Sequence, residues 1–507
     1  MENNEVVQLD VQLETASSDV RDCMLQSLFI FRFSGHTIRE VSAMARYPGE
    51  LTDENIRRIF ENAADFNYRP VHCGQFTLYT YAIDGLTAGG NASEYIFRPI
   101  TDHLRAENMQ QLYDAALEGM IYNSVARECR DLDTVALMLV NGFCVVLFPG
   151  AGAIAFEVKT PEKRGISAPE LEHTAKGAKD AFVETNRTNT SLIRRHLRTP
   201  DLRIYETQVG QHSVTNVSVA WIDGVTDMEL VARMKKRLDT MHTDSLVTPS
   251  AVEELITGSR NTAFPLLQYT ERADRFCEGL LAGRVGVLVD GIPLGYLAPV
   301  DLGVLMESPE DWGKDYVSAS AIRLLRYGAL LLSLLLPGLF IAMATFHQEM
   351  IPLSLLRAII ESKEAVPFST TLEVLILLLA FEVLQESGVH LPASIGQSVS
   401  IIGGIVVGSA AVEAKFISPA ALIIVSVAGI CGYVLPNRDL ANAIRVWRFV
   451  LAALSALAGL FGWTVGLLLL TIHLGGLTSL DMPYLSPFEK GNPPKLLRRV
   501  KKREEKT

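Results

Sequence analysis

The sequence feature that most constrains this chain is residues 327–346, twenty consecutive positions without a charged side chain. The hydrocarbon core of a bilayer is about 30 Å thick, and an α-helix that rises about 1.5 Å per residue crosses it with roughly twenty apolar residues. We therefore predict that this segment spans a membrane. It contains Pro337 and Gly338, where a kink is expected because proline removes a backbone donor. The pair is a candidate gating hinge, or else it serves helix packing.

Other apolar segments follow this one as far as residue 480. Residues 394–414, 417–436 and 449–475 are each predicted to cross the membrane, because each is long and almost free of charge. Residues 371–388 are ambiguous, since a hydrophobic helix there would carry three glutamates. The polar loop 347–368 is expected to lie along the membrane interface. The C-terminal half is thus predicted to be a membrane domain of four to five helical segments.

Basic residues set the expected orientation of these helices. Arg323 and Arg326 precede the first span, and the tail 490–506 contains eight Lys or Arg against two Glu. Both features favour the cytoplasmic side, which requires an even number of crossings. The N-terminus also lacks the pattern of a cleaved signal. Three arginines within 438–448 favour the opposite arrangement, so one central segment is expected to be re-entrant or interfacial.

Small residues recur at four-residue spacing in the apolar segment 394–414. In a bilayer, a row of small side chains lets two helix backbones approach closely. We predict that this helix packs against a neighbouring span or subunit through four residues: Gly396, Ser400, Gly404 and Gly408.

Three glutamates of the membrane half are candidates for an ion path. An ionisable side chain at membrane depth is costly, so it is a functional candidate by default. Glu382 and Glu386 are four residues apart and share a helix face, and Glu413 ends the glycine-rich helix. A ring of such carboxylates in an oligomer would attract cations. The alternative is that Glu386 and Glu413 are solvated at the membrane interface.

The N-terminal half has the pattern of an α/β protein. A β-rich run that ends in Asp-Gly recurs at 76–85, 216–224 and 284–291, with a looser Asn-Gly copy at 136–142. These dipeptides tolerate positive φ and close tight turns. Helical patterns lie between the copies, which favours two subdomains over one continuous sheet.

The predicted fold class is an α/β cytoplasmic region of two subdomains followed by an α-helical polytopic membrane domain. Five parts are expected: a helical N-terminal lead-in at 1–65, soluble α/β subdomains at 66–200 and 201–316, the membrane domain at 317–480 and a basic cytoplasmic tail at 481–507.

An arginine stripe lies in the most charged helical pattern, residues 182–204. Arg187, Arg194 and Arg198 follow one helical face at spacings of seven and four, with Arg195 beside them. The stripe is a candidate contact for an acidic partner, a lipid headgroup or a ligand carboxylate. Alternatively, it is a solvated face paired with local Asp and Glu.

No motif in the sequence indicates an enzyme. The chain has no P-loop, no GxGxxG between a strand and a helix, no GxSxG and no HExxH. Its six cysteines show no metal-type spacing, so reduced thiols are expected. The net charge of −11 argues against nucleic acid as the main partner. We predict no catalytic residue, no metal site and no cofactor.

Several separated strings resemble the GerA-type spore germination proteins, the A subunits of nutrient germinant receptors in endospore-forming bacteria. The resemblance covers about residues 66–490 and is weaker at 177–180. The strings that carry it are ETNRTNTSLIRRHLRTPDLRI at 184–204, QYTERADRF at 268–276, RVGVLVDG at 284–291, TFHQEMIP at 345–352, the glycine-rich region 386–419 and MPYLSPF at 482–488.

The resemblance implies an integral protein of the inner spore membrane, which is the cell membrane of an endospore-forming bacterium. It implies a receptor that senses small nutrients together with a permease-like B subunit and a lipoprotein C subunit, and that forms or gates a cation-release channel. A homo-oligomer, for example a pentamer, is expected within membrane lipid. Two alternatives are an accessory subunit similar to stage V sporulation protein AF and a secondary transporter.

Overall fold

The computed structural model describes residues 46–485, except 103–105, 122–124, 160–167, 171, 173, 175, 241–242, 259–260 and 391–407. Up to residue 300 the described residues form two β-sheets covered by helices, and from residue 316 onward they are almost entirely helical. The α/β class of the N-terminal region and the helical class of the C-terminal region are therefore confirmed.

Each sheet has five strands, and all paired neighbours are antiparallel. The first sheet has the order β1-β2-β4-β5-β3, and the second has the order β6-β7-β9-β10-β8. The strands are β1 Phe66–Cys73, β2 Phe76–Ile83, β3 Ala126–Cys129, β4 Phe143–Phe148, β5 Gly152–Glu157, β6 Leu202–Val209, β7 Thr215–Ile222, β8 Gln268–Thr270, β9 Val285–Val289 and β10 Gly295–Ala298.

The helices follow the same plan in both sheets: one precedes the first strand, a helical stretch follows the second strand, and one follows the third strand. Around the first sheet they are α1 Asp53–Ile59, then α2 Gly89–Ala92, α3 Arg98–Asp102 and α4 Met109–Ala115 with single π-helical turns at Ser93–Phe97 and Ala116–Met120, and then α5 Leu132–Val140. Around the second sheet they are α6 Asn186–His196, α7 Met228–Thr240, α8 Pro249–Thr257 and α9 Ala273–Leu281.

The two units are a structural duplication, because their strand order and strand register also agree. The first hairpin pairs Phe66 with Ile83 in one unit and Leu202 with Ile222 at the corresponding place in the other. We call the unit from α1 to β5 repeat 1 and the unit from α6 to β10 repeat 2.

The recurring Asp-Gly motif marks equivalent places in the two repeats. Gly85 and Gly224 follow β2 and β7 with φ of 82° and 76°, values that glycine adopts without steric cost. The looser copy at 136–142 is a wrong prediction, since these residues end α5. Its buried positions recur with a helical period, and Gly142 follows the helix with φ of 83°.

Helices cover both faces of each sheet. In repeat 1, α1 and α5 cover one face and α2 to α4 the other. In repeat 2, α7 and α8 cover one face and α6 and α9 the other. Helix α6 thus packs on the second sheet, whereas the sequence boundary at residue 200 placed it with the first.

Among the described residues, five helices of eleven residues or more follow a short connection of α10 Leu302–Leu305 and the 3-10 turn Pro309–Gly313. They are α11 Tyr316–Thr345, α12 Leu353–Lys363, α13 Thr370–His390, α14 Pro419–Tyr433 and α15 Arg438–Gly476, followed by the short strands β11 Thr478–Ser479 and β12 Met482–Pro483. Within the described part of the chain, α11 and α15 are long and apolar enough to cross a membrane.

Helix α15 reverses direction in its middle. Ala458 and Gly459 have non-helical φ/ψ of −136°/19° and 58°/−136°. The rings of Trp447 and His473 lie 5.5 Å apart, although a continuous helix would separate these residues by about 39 Å. The helix is therefore a hairpin, whose halves we call the first arm (438–457) and the second arm (460–476).

The hairpin returns the chain to repeat 2. Its tip packs against the end of α11, where a Cβ on Gly459 would lie 2.8 Å from the Cβ of Phe346. At the other end, His473 Nε2 and Thr262 Oγ1 are hydrogen-bonded at 2.9 Å, and Ser479 Oγ donates to the Leu266 carbonyl at 2.7 Å. The expectation of a single crossing at 449–475 is therefore wrong, because hydropathy alone does not show a reversal inside an apolar run.

Candidate functional site

The proline of α11 lies at the centre of the helical bundle. Helix α11 continues through Pro337, and both Pro337 and Gly338 are buried. A Cβ on Gly338 would lie 3.0 Å from Ser455 Oγ and 3.1 Å from Trp463 Cδ1, so both arms of α15 pack closely on this point. The glycine allows this approach, which fits the packing alternative; a hinge role stays a prediction.

Glu382, the principal candidate for an ion path, is paired with two arginines of the first arm. Its Oε1 lies 2.9 Å from Arg448 Nη2, and its Oε2 lies 3.1 Å from Arg445 Nη1. Arg448 is buried, and Glu382 is half-buried. The carboxylate therefore joins α13 to α15 and neutralises a buried guanidinium, whatever else it does.

The other two carboxylate candidates are exposed. Glu386 lies one turn after Glu382 on α13, and Glu413 ends the helical residues 408–413. Their exposure agrees with the interfacial alternative, in which water or headgroups solvate the charge. A role in an ion path stays a prediction for both.

Glu373 is not among the ion path candidates predicted from the sequence, yet it is the fully buried carboxylate of α13. Its Oε2 accepts a hydrogen bond of 2.8 Å from the Ser418 backbone N–H at the start of α14, and its Oε1 lies 3.7 Å from Lys363 Nζ. Glu373 thus joins three helices at the end of the bundle opposite to repeat 2. Its sequence signal is weak, because the partners are 10 and 45 residues away.

The row of small residues is only partly covered by the structure. Gly408 is buried, and a Cβ there would lie 3.5 Å from both terminal methyl carbons of Leu422 on α14. Gly396, Ser400 and Gly404 lie outside the described residues. The predicted close helix packing through this row stays a prediction.

Helix α11 is fixed to the connection that follows repeat 2, residues 302–313, by a buried cluster of charges. Asp311 is fully buried and accepts hydrogen bonds from Arg326 Nη1 at 2.7 Å and Arg326 Nη2 at 2.9 Å, and from Arg323 Nε at 3.2 Å. Glu307 Oε1 lies 3.0 Å from Arg323 Nη1. The two arginines that the sequence treated as membrane-flanking charges therefore also lock the start of α11.

The charge of Asp311 is favoured in this cluster. Burial opposes ionisation, but the hydrogen bonds and charges of Arg326 and Arg323 outweigh it and lower the pKa of Asp311. Ser308 and Asp311 also form a capping box around the 3-10 turn before α11. Asp311 therefore ties this turn, which connects repeat 2 with the helical bundle, to the start of α11.

The arginine stripe of α6 joins the two repeats. Arg194 and Asp65 are both 1% exposed and form a bidentate pair, with hydrogen bonds of 2.7 Å from Nε and 2.8 Å from Nη2. The prediction that Arg194 contacts an external partner is therefore wrong, because its guanidinium is enclosed between α6 and the start of β1.

The remaining arginines of the stripe are more accessible. Arg187 pairs with Asp84 of repeat 1 at 3.2 Å and with Glu206 at 3.0 Å. Arg198 is exposed and donates to the Asn141 side chain at 3.4 Å, and Arg195 is half-buried. These local pairs agree with the solvated alternative. External contacts of Arg187, Arg195 and Arg198 stay predictions.

The described residues offer no metal centre, since none of their His, Cys, Asp and Glu side chains form a group of three or more that could hold an ion. Among the described cysteines, Cys129, Cys144 and Cys277 are buried free thiols. The arrangement suits mechanical coupling. Arg194 and Asp65 join the two repeats, and Asp311 joins the connection after repeat 2 to the start of the bundle.

The chain is similar in sequence to several known proteins. The profile of the family described as Bacillus/Clostridium GerA spore germination protein matches residues 54–504. The uncharacterized membrane protein YfkQ of Bacillus subtilis (strain 168) is 34% identical over 445 residues, which are 86% of this chain and 86% of that protein.

Two further relatives from Bacillus subtilis (strain 168) are named spore germination proteins. Protein KA is 32% identical over 80% of this chain and 74% of its own length, and protein A1 is 34% identical over 69% and 73%. The crystal structure of the N-terminal domain of the A subunit of the Bacillus megaterium spore germinant receptor GerK3 matches 49% of this chain and 95% of that domain, with 25% identity and a TM-score of 0.39.

Proposed function

Since the chain belongs to the GerA family of spore germination proteins, we propose that it is the A subunit of a germinant receptor, which senses small nutrients with partner subunits and forms or gates a cation-release channel. The observation that carries the proposal is this membership together with a helical bundle that is attached to repeat 2 at both of its ends. Movement of repeat 2 would then reach the bundle at two points.

The proposed membrane arrangement has the two repeats and both ends of the bundle on the cytoplasmic side. Its support is that α11 starts at repeat 2, near Asp311, and that the second arm of α15 returns to repeat 2 at Thr262. In this proposed arrangement the bundle crosses the membrane an even number of times, as the basic flanks also require.

The hairpin also removes the conflict among the basic residues. Because the first arm starts beside repeat 2, the arginines of 438–448 lie on the same side as Arg323 and Arg326. All of these arginines and the basic tail would then face the cytoplasm, as positively charged flanks of membrane helices commonly do. We propose the inner spore membrane as the location.

The proposed partners are a permease-like B subunit, a lipoprotein C subunit and further copies of this chain, with a pentamer as one expected oligomer. The support is the family, whose named members are germination proteins. Large apolar side chains of α11 are also exposed in the single chain, namely Val317, Leu324, Leu325, Leu331 and Leu332. Lipid or neighbouring subunits would cover them.

Nutrient-triggered cation release from spores tests the function. In a strain whose other A-type receptor genes are removed, deletion of this gene should abolish the release, and the wild-type gene should restore it. Glu382→Gln should reduce the release at normal protein level, because it either removes a carboxylate from the ion path or weakens the connection between α13 and α15.

A second substitution separates these two roles of Glu382. If the carboxylate only balances Arg448, then Glu382→Gln combined with Arg448→Met should recover most of the release, because no buried charge is left unpaired. Persistent loss in the double variant favours an ion path role. Glu361→Gln, at an exposed position of α12 that is not an ion path candidate, is the matched control. Unchanged cation release in the deletion strain would contradict the proposed function.

A further inference from the structure

An open cavity of about 410 Å³ lies where repeat 2 meets the connection to the bundle. Its polar lining consists mainly of Gln268, Glu278, Arg284, Asp301, Glu307 and Trp312, and Met482 and Pro483 after the hairpin complete its wall. An occupant would therefore touch repeat 2, the segment that leads into α11 and the segment that follows α15. Clefts between structural units are common places for small-molecule sites.

Some charges around the cavity already have partners. Glu307 Oε1 is paired with Arg323 at 3.0 Å, and Asp301 Oδ1 accepts from the Val304 backbone N–H at 2.8 Å to cap α10. Arg275 forms an ion pair with Glu172 and donates to the Glu307 carbonyl at 3.0 Å. These groups line the cavity, but they already form hydrogen bonds or ion pairs with other residues of the protein.

Two charges on the same wall have no opposite charge bound to them. The Arg284 guanidinium has one hydrogen bond within the described part of the chain, from Nη1 to the buried Gln268 side chain. Burial lowers the pKa of Arg284 to about 10 against the opposing effect of Glu307. The Glu278 carboxylate makes no hydrogen bond or ion pair with any described residue.

The fold does not require a cation at this position. Arg284 directly follows Gly283 after α9, and the equivalent residue of repeat 1, directly after Gly142, is Phe143. Phe143 is buried in the repeat 1 core. Carboxylates of the cavity lie near Arg284, but none of those in the described residues forms a direct ion pair with it. Its remaining N–H donors are therefore available to a ligand carboxylate.

We propose that this cavity binds a small zwitterion, with its carboxylate on Arg284 and its ammonium group on Glu278. A simple anion fits less well, because the cavity is lined by two arginines and three carboxylates and is therefore slightly acidic. A zwitterion satisfies both unpaired groups without adding net charge. Trp312, which is 45% exposed, lies on the wall where it can cover the ammonium group by a cation–π contact.

The site lies on the repeat 2 side of the bundle, so it would sample the compartment of the soluble repeats. The inference rests on the proposed receptor function and membrane arrangement, and it extends them by a second ligand on the side of the repeats. Glu307 lines the cavity, and both Glu307 and Asp311 are paired with arginines at the start of α11, so an occupant would stiffen the connection between repeat 2 and α11.

Binding to the purified full-length protein in detergent tests the proposal without spores. Isothermal titration with glycine, β-alanine, 4-aminobutyrate and 5-aminovalerate varies the distance between ammonium and carboxylate. At least one of them should bind saturably, and acetate, methylamine and phosphate should each bind at least about tenfold more weakly, because each lacks one of the two charges.

Two variants assign the binding to the cavity. Arg284→Gln and Glu278→Gln should each weaken the preferred zwitterion at least about tenfold, without lowering the melting temperature, since each removes an unpaired charge. Arg130→Gln, at an exposed position of repeat 1, should bind like the wild type. Absence of zwitterion binding to the folded protein, tighter binding of acetate or phosphate, or full binding by Arg284→Gln would overturn the site. The receptor function would still be judged by cation release.

Discussion

Repeat 1 and repeat 2 share one fold, but they differ in polarity where repeat 2 faces the bundle. Six residues before its first strand, repeat 1 has the buried Phe60, and repeat 2 has His196 at the same place. Directly after the glycine that follows α5 or α9, repeat 1 has Phe143 and repeat 2 has Arg284. His196 and Arg284 line neighbouring cavities that share Trp312. The comparison shows that the strand order needs neither polar group. In repeat 2, His196 pairs with Asp180, and Arg284 donates to Gln268 beside the cavity.

The cores of the repeats differ in a compensated way. The fourth residue of the helix after the third strand is Val135 in repeat 1 and Phe276 in repeat 2. The strand below it has Val145 in repeat 1 and Gly286 in repeat 2, and a Cβ on Gly286 would lie 2.2 Å from the Phe276 ring. In repeat 2 the larger side chain is on the helix and the smaller residue is on the strand, so the helix and the sheet can pack at the same spacing as in repeat 1.

The largest expected loss of stability comes from an aspartate that directly precedes the first strand of a repeat. It is Asp65 before β1 in repeat 1 and Asp201 before β6 in repeat 2. Asp65→Asn should destabilise the contact between the repeats by about 3–5 kcal/mol, because it leaves the buried Arg194 guanidinium without its counter-charge. Hydrogen exchange of the full-length protein in detergent measures the effect as a loss of protection in α6 and at the start of β1.

Asp201 is the matched control, because it holds the position of Asp65 in repeat 2. Its side chain is 26% exposed and pairs with the exposed Arg46. Asp201→Asn should therefore cost less than about 1 kcal/mol. Equal loss of protection in the two variants would show that burial of the Arg194 pair does not distinguish the repeats.

The next effect concerns the exchanged core volumes. Gly286→Val gives repeat 2 the strand residue of repeat 1 and should destabilise it by about 1–3 kcal/mol, because the new side chain meets the Phe276 ring. Combined with Phe276→Val, it should cost less than the sum of the two single changes, by about 0.5–3 kcal/mol. Denaturant unfolding followed by hydrogen exchange in β9 measures this coupling.

Gly89→Ala serves as the control for this cycle, since a Cβ there would meet no atom within 4 Å. It should change stability by no more than about 0.5 kcal/mol. Strict additivity of Gly286→Val and Phe276→Val would refute the compensated packing.

Sequence reasoning reached the parts of this fold that depend on local patterns. The Asp-Gly motif found β2, β7 and β9, and the uncharged run 327–346 found most of α11. The same reasoning mistook the end of α5 for a strand, because a short apolar run fits a strand and a buried helix equally well. It also missed the duplication. The two repeats share their strand register, but equivalent core positions carry different residue types, so the sequences of the repeats do not look alike.

The site residues depend on contacts that are distant in sequence. Arg194 is 129 residues from Asp65, and Glu382 is 66 residues from Arg448, so spacing alone could not reveal either pair. The hairpin in α15 was missed because both arms are apolar and the reversal needs only Ala458 and Gly459. Gly459 was the available signal, since glycine adopts the left-handed φ that such a turn requires.

The smallest expected effect is the pH-dependent stabilisation of repeat 2 by His196, the residue at the place that Phe60 has in repeat 1. His196 Nε2 lies 2.7 Å from Asp180 Oδ2, and this contact raises the pKa of His196 and lowers that of Asp180. The stabilisation from His196 is therefore fully present below its unfolded pKa of about 6.5 and is lost as the pH rises through the higher folded value. Since both groups are partly exposed, it should amount to less than about 1 kcal/mol.

Hydrogen exchange at the end of α6, compared between pH 6 and pH 9 after correction for intrinsic rates, measures this contribution. The wild type should lose protection toward the higher pH, and His196→Phe, which restores the residue type of repeat 1, should show no such loss. Because Asp180 stays charged throughout this window, its own titration below about pH 4 does not interfere. The same pH dependence in His196→Phe would mean that another group of repeat 2 titrates, and that the exchange of Phe60 for His196 is neutral for stability.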